Sequence, residues 1–233
     1  MSNNSGLLGM IGGSAAEKAQ KTALIESLKK GKSAEQKRCI DFLLADSGCT
    51  GKNPSGLKVD DYQKLVLQKC ASLKIYGRAL NKIGLDESQI KEIDPIVLQS
   101  YRFDDDCYVK IEDGKAVSSQ FSVSIIFFST EQIYTYTYIF EMIGNNSWEF
   151  TKDYFYTDIT SICTGRVVKE KIDDITSGCL KPKHSLEKSS FVIDTLTITV
   201  PGAKDEFSMR NSSTMEKSIQ AAKAMIREKK YAR

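Results

Sequence analysis

Residues 154–162 read YFYTDITSI, three aromatic side chains followed by an aspartate and an alternating Ile-Thr-Ser-Ile segment. Asp158 is open to two interpretations. As a catalytic carboxylate it needs a partner within reach, yet the one histidine, His184, lies in a distant polar segment to which no serine or cysteine motif points. As a bend between two strands, it needs only nearby backbone amides for its short side chain. We favour the bend, which makes this stretch a corner in a sheet.

The residues on both sides of this corner alternate with a period of two, as β-strands do. Asp113-Gly114 is a strong hairpin signal. The polar segment 169–190 is predicted as a long loop. A final helix is expected from Ser213-Thr-Met-Glu216 as a capping box, followed by an apolar stripe. The sequence predicts seven strands, over residues 107–112, 115–129, 132–143, 148–157, 160–168, 191–200 and 205–209.

The first hundred residues have helical rather than strand spacing. Capping-box signals at Ser14-Ala-Ala-Glu17 and Ser33-Ala-Glu-Gln36 each precede apolar residues three or four apart. A third helix follows the loop around 51–56, and a last short helix begins at Asp86 and ends before Pro95. The predicted organisation is a flexible leader over 1–13, a helical domain over 14–100, and a β-domain with a C-terminal helix over 101–233.

A seven-stranded sheet with free edges invites aggregation, so closure into a bent barrel is expected. The C-terminal helix can then cover one open end with Met215, Ile219, Ala222 and Ile226. The predicted fold class is therefore α+β, with an N-terminal helical segment followed by a seven-stranded antiparallel barrel that a C-terminal helix closes.

Three segments of the second half resemble a bacterial pleckstrin-homology-like (PH-like) domain: YFYTDITSI, FVIDTLTITVPGAKDEFSM and STMEKSIQAAKAMI. In that family a Tyr/Phe-rich strand runs into a DI-x-S segment, a later strand pair is joined by a glycine turn, and a capped helix ends the domain. The resemblance covers residues 101–233 and leaves out the helical first hundred. It implies a non-enzymatic interaction fold, of a family in which self-assembly is common.

Composition narrows the range of partners. A formal net charge of +3 is too small to indicate a nucleic-acid or membrane partner, and no apolar run reaches the roughly 18 residues of a membrane span. The six cysteines are scattered without a CxxC pair. They are interpreted as reduced, mostly buried thiols, with a disulfide framework as the alternative. A cytoplasmic location is expected.

Tyr134, Tyr136 and Tyr138 fall on one face of the third predicted strand. They are the tentative binding residues, because a row of rings can stack on bases or sugars. A nucleic-acid platform, however, comes with a basic groove, and only Lys152 lies in the adjoining strand. The favoured interpretation is that these rings pack in the core or at its rim, where their hydroxyls find partners.

No metal or cofactor is predicted. Asp104-Asp105-Asp106 is superficially similar to a calcium site, but a calcium loop needs alternating oxygen ligands and a closing glutamate, so a solvated linker is favoured. One histidine and dispersed cysteines give no zinc spacing. The basic end 227–233 fits contact with acidic lipid or with a partner, but the favoured interpretation is that its cations stabilise the dipole of their own helix.

The leading functional hypothesis is a non-enzymatic protein-interaction or assembly module, with the long second and third strands as its association surface. Its partner is expected to be another protein or a second copy. The alternative is a module that binds a small ligand or an anionic lipid headgroup. An enzyme would require folding to bring His184, Asp158 and a cysteine into one cleft.

Overall fold

The computed structural model describes residues 15–45, 53–90, 93–112, 114–177, 183–210 and 212–231. Among these residues five helices are present: α1 (Ala15–Lys29), α2 (Ala34–Leu44), α3 (Val59–Ser72), α4 (Ile75–Ile83) and α5 (Ser213–Tyr231). Short 3-10 turns occupy Glu87–Gln89 and Tyr156–Asp158. No helix in the described ranges is long and apolar enough to cross a bilayer.

The strands of the described chain form three antiparallel sheets. The strands are β1 (Ile96–Tyr101), β2 (Val109–Glu112), β3 (Lys115–Ser118), β4 (Gln120–Phe128), β5 (Gln132–Glu141), β6 (Ser147–Phe155), β7 (Ser161–Ser177), β8 (Lys183–Val200) and β9 (Ala203–Met209). One sheet has the order β1-β4-β5-β6, another has the order β7-β8-β9, and β2 and β3 form a hairpin of their own. The α+β class, the helical N-terminal part and the C-terminal helix are confirmed.

The prediction of a closed seven-stranded barrel is wrong. Nine described strands lie in three sheets, and neither larger sheet closes on itself or on the other through strand pairing. The sheets bury their apolar faces by stacking on helices and on each other, so closure is not needed to cover them. The bend at Asp158 is confirmed, because Tyr156–Asp158 turns the chain from β6 into β7.

The predicted strand boundaries differ from the structure in three places. β1 is absent from the predicted strands, because nearly all of its residues fall within the predicted helical domain over 14–100. The strand expected over 115–129 is divided at Ser119, where the Ser118 hydroxyl bonds the backbone of Gln120 and the Ser119 N–H donates to Tyr108 instead of continuing the ladder. The loop expected over 169–190 lies largely in β7 and β8, which pair from Ser161↔Thr199 to Ser177↔Lys183. Backbone hydrogen bonds hold that hairpin whatever the polarity of its side chains.

Local signals fix the ends of the helices. Ser33 and Gln36 form the capping box predicted for α2, whereas the signal at residues 14–17 lies partly outside the described residues. Gly84 ends α4 at a φ of 76°, a left-handed conformation that glycine adopts without strain. The cap of α5 is one residue earlier than predicted, because the Ser212 hydroxyl accepts from the N–H of Met215 at 3.1 Å.

The helical part covers one face of the four-stranded sheet. Odd-numbered residues of β4 and even-numbered residues of β5 point to this face and pack against α2, α3 and α4 in one cluster. Phe42 stacks on Tyr62 at 4.8 Å between ring centroids, and Lys29 of α1 pairs with Asp41 of α2 at 2.7 Å. The fully buried aromatic side chains of this cluster are Phe42, Tyr62, Phe121, Phe127, Tyr136 and Phe140.

The other face of the same sheet packs against β8, β9 and α5. Residues of β1, β4 and β5 form a second cluster here with Leu196, Ile198 and Phe207 and with the apolar stripe of α5. Asp205, near the start of β9, accepts from side chains of β6, whereas the N–H of Arg210, just beyond its end, donates to Gln99 of β1 at 3.2 Å. β1 and β6 are the two edges of the four-stranded sheet, so β9 crosses that sheet from edge to edge, as in orthogonal sheet packing.

A matched pair of tyrosines tests the first cluster. The buried Tyr62 hydroxyl donates to the Ser118 carbonyl at 2.8 Å, whereas the buried Tyr136 hydroxyl lies beside Arg78 and Glu149 outside hydrogen-bonding geometry. We expect Tyr62→Phe to lower the free energy of unfolding by about 1–3 kcal/mol, because it leaves a buried carbonyl without its donor. Tyr136→Phe is expected to change it little. Urea unfolding of both variants measures the difference, and equal losses would contradict this packing.

Alkaline pH tests the same cluster. Burial raises the pKa of the Cys39 thiol to about 12 from its ordinary value of 9.0. The folded chain then holds this proton above pH 9, where the unfolded chain releases it. The stability that depends on the protonated thiol is therefore fully present below pH about 9 and is lost as the pH rises toward 12, by at most about 1.4 kcal/mol per pH unit. We expect Cys39→Ala to flatten the decline of unfolding free energy between pH about 8 and about 10. Cys163→Ala, at an exposed position, should leave the decline unchanged.

Candidate interaction surface

The three tyrosines predicted as a binding platform lie under the helical part. Tyr136 and Tyr138 are buried and Tyr134 is half-buried, all on the face of β5 that α3 and α4 cover. The Arg78 guanidinium of α4 lies 5.0 Å from the centre of the Tyr138 ring. The chain's own helix therefore occupies the position that a stacked ligand would take. The packing interpretation of the three tyrosines fits this arrangement. β4 and β5, which the sequence predicts as the association surface, lie inside the sheet, and each pairs with a strand on both sides.

Arg78 also fastens α4 to the outer strand of the sheet. It donates to Glu149 of β6 at 2.7 Å, and Lys82 lies 3.7 Å from the same carboxylate. The bond from Arg78 lowers the pKa of Glu149 below its usual value. Ion pairs with α4 thus hold the face of β6 that points toward the helices.

The candidate catalytic residues are far apart along the backbone. Asp158 is exposed in the turn before β7, whereas His184 lies near the other end of the β7–β8 hairpin, opposite Thr176. Fifteen strand steps separate Ser161 from Thr176, a contour of about 50 Å at about 3.3 Å per residue.

The acidic run Asp104-Asp105-Asp106 is exposed, and Asp104 pairs with Arg102 of the same loop. Among the described residues no group of three or more acidic, cysteine or histidine side chains could hold a metal ion.

β6 is the exposed edge of the four-stranded sheet. Among the described strands, none pairs with its outer side. Trp148, Phe150 and Phe155 are 37%, 52% and 53% exposed, which is unusual for aromatic side chains of this size in a strand. An edge of this length with apolar side chains is a template for pairing with another strand.

The ladder between β5 and β6 shows which backbone groups are free. The N–H of Glu141 donates to the carbonyl of Asn146, and the N–H of Tyr156 donates to the carbonyl of Glu131. In an antiparallel pair every second residue bonds to the neighbour. The even-numbered residues of β6 therefore bond to β5, and residues 147, 149, 151, 153 and 155 direct their N–H and C=O groups outward.

β6 is anchored at its C-terminal end to the second sheet. The Lys152 ammonium and the Tyr154 hydroxyl both donate to the Asp205 carboxylate of β9. Burial, together with the bond to Asp205, raises the pKa of Tyr154 above its usual value. The strand is therefore held by Arg78 of α4 on one face and by Asp205 on the other, so its outer edge is presented in an ordered conformation.

The sequence alone did not single out this edge. It predicted a fourth strand over 148–157, and the alternation of Trp148, Phe150, Lys152 and Tyr154 on one face is visible in it. Alternation, however, does not tell an edge strand from a central one, because both have a period of two. The neighbours of β6 follow only from the order of the sheet.

No family model, curated protein or solved structure matches this chain in the three comparisons with known proteins. Its function is therefore inferred from its own residues.

Two proline substitutions test the direction of the backbone groups in β6. The register assigns the N–H of Phe150 to Thr137 of β5 and leaves the N–H of Thr151 outward. We expect Phe150→Pro to lower the free energy of unfolding by about 1–3 kcal/mol more than Thr151→Pro, because only the first leaves a sheet carbonyl unpaired. Chemical denaturation followed by circular dichroism measures both. A greater loss for Thr151→Pro would show that the register is shifted by one residue.

Proposed function

We propose that this chain is a protein-interaction module that assembles with a second copy of itself through the outer edge of β6. The observation that carries the proposal is the nine-residue strand with unpaired backbone groups and three exposed aromatic side chains. Adding a strand to such an edge supplies backbone hydrogen bonds, while the aromatic side chains supply apolar contact.

When two β6 strands pair about a two-fold axis, charge repulsion between their side chains favours one register over another. If Thr151 lies opposite its own copy, Glu149 meets Asp153 of the other strand, and like charges directly opposite each other destabilise a sheet. If Phe150 lies opposite its own copy, Trp148 meets Lys152 and Glu149 meets Thr151. The second register avoids repulsion and places a ring against a ring and a cation against an indole, contacts that are both favourable. Both registers pair outward-facing residues with each other, as the free backbone groups require, so the side chains decide between them.

The proposal includes a PH-like arrangement for the second half of the chain. Its support is the order of a four-stranded antiparallel sheet, then a three-stranded one, then a helix that packs against residues of both. The β2–β3 hairpin is an addition to that order, and the arrangement is open rather than a closed barrel. We also propose a cytoplasmic location, which the free thiols of Cys39, Cys70, Cys107 and Cys163 support.

Light scattering after size-exclusion chromatography tests the assembly. We expect a dimer whose fraction rises with protein concentration, and a monomer for the double variant Trp148→Lys/Phe150→Lys, because exposed lysines on an edge strand oppose pairing. Val168→Lys is the matched control, since Val168 is 61% exposed on β7, the outer strand of the other sheet. A monomer at every concentration would refute the proposed assembly.

Cross-linking tests the register. In an antiparallel pair, residues opposite each other without mutual hydrogen bonds have Cα atoms about 4.5 Å apart, within the range that a disulfide spans. We expect Phe150→Cys to form a disulfide-linked dimer on mild oxidation, whereas Thr151→Cys should not. The unmodified chain controls for its own cysteines. Efficient cross-linking of Thr151→Cys alone would select the other register.

A further inference from the structure

A cleft lies where β1, the β2–β3 hairpin and β8 meet, well away from the outer edge of β6. Its volume is about 480 Å³, and Tyr101, Phe103, Phe191, Lys115, Asp194 and Arg210 are among its lining residues. Ligand sites of proteins fall in the range of about 300–1,000 Å³ and combine apolar walls with a few polar groups. This cleft has both properties.

The walls of the cleft are aromatic. The Phe103 and Phe191 rings lie 4.5 Å apart between centroids, and Tyr101 follows at 6.4 Å from Phe103. These contacts join the end of β1 to β8, so two different sheets contribute to the wall. A flat apolar group can contact rings of this kind through its face or its edge.

One positively charged side chain of the cleft has no ion-pair partner among the described residues. Asp194 pairs with Arg166 at 3.0 Å, and Lys115 pairs with Asp60 at 2.7 Å. The exposed Arg210 guanidinium lies 5.5 Å from the centre of the Tyr101 ring, and no carboxylate in the described part of the chain forms an ion pair with it. Arginine presents a planar fork of donors that suits a carboxylate or phosphate.

Tyr101 provides a second observation. The residue is 4% exposed, and its hydroxyl lies beside the Arg210 guanidinium but outside hydrogen-bonding geometry with any group of the described residues. Buried polar groups of native proteins nearly always have a partner, so a hydroxyl without one in the lining of a cleft calls for an explanation. A bound ligand that places a hydrogen-bond acceptor beside Arg210 would give the Tyr101 hydroxyl its partner.

We propose that this cleft binds a small organic anion with a flat aromatic body, with the anionic group at Arg210 and the aromatic body against Phe103 and Phe191. The site is separate from the β6 edge, so the proposal does not depend on self-assembly. It assigns the cleft a ligand class, an aromatic carboxylate or a closely related anion.

Isothermal titration calorimetry with three probes tests the ligand class on the unmodified chain. The probes are 2-naphthoate, its cationic counterpart 2-naphthylmethylammonium, and inorganic phosphate, which has no apolar body. We expect one molecule of naphthoate to bind per chain, at least about tenfold more tightly than either other probe. Only naphthoate has both a carboxylate to pair with Arg210 and an aromatic body to contact Phe103 and Phe191. Equal affinity for the cation, or for phosphate, would overturn the proposal, and so would the absence of naphthoate binding.

Arg210→Gln tests the assigned residue. We expect naphthoate binding to weaken about tenfold or more, since the variant loses a charge-assisted contact. Lys204→Gln is the matched control, because Lys204 lies on β9, the strand that ends just before Arg210, pairs with Glu206 at 3.3 Å and is not among the lining residues. Unchanged binding by a folded Arg210→Gln chain would overturn the proposal. The comparison of anion with cation needs no variant, so it remains decisive if Arg210→Gln does not fold.

Discussion

The fold depends on the burial of both faces of one four-stranded sheet. β4 and β5 carry large apolar side chains on both sides, so each strand has two faces to remove from water. The helices α2, α3 and α4 cover one face, and β8, β9 and α5 cover the other. Neither cover can form its own cluster without the sheet, because the apolar stripe of a short helix needs a surface to pack on. The central sheet therefore ties the helical and strand-rich parts of the chain together.

This double cover explains why the sheets remain open. A barrel removes edges by pairing the first strand with the last, but here β9 crosses the sheet from β6 to β1 and fills the space with Phe207 and Met209. The apolar surface is then buried without edge-to-edge closure. One consequence is an outer strand, β6, that is fixed on both faces by Glu149 and by the Asp205 contacts yet keeps its outward backbone groups free. The proposed assembly is a direct use of that strand.

A second consequence lies at the opposite edge of the sheet. There the β2–β3 hairpin and the long β7–β8 hairpin extend past β1, and Lys169 of β7 donates to the carbonyl of Phe103 at 2.7 Å. The space that remains between these extensions is the cleft with Arg210 at its border. The two proposed sites thus arise from one feature, a sheet that is covered on its faces and left open at its edges.

The local structure can be read from the sequence alone, namely the capped helix α2, the turn at Asp158, most of the strands and the final helix. These depend on side-chain period and on residues that satisfy nearby backbone groups, both of which a single segment contains. The sequence does not indicate the split at Ser119, the extension of β7 and β8, or the position of Tyr136 and Tyr138 beneath α4. Those features, together with the exposure of β6 and the cleft around Arg210, arise only when the segments pack together. The reason is physical, because exposure and strand neighbours depend on which distant segments pack together, and a period of two is the same for a covered strand and an open edge.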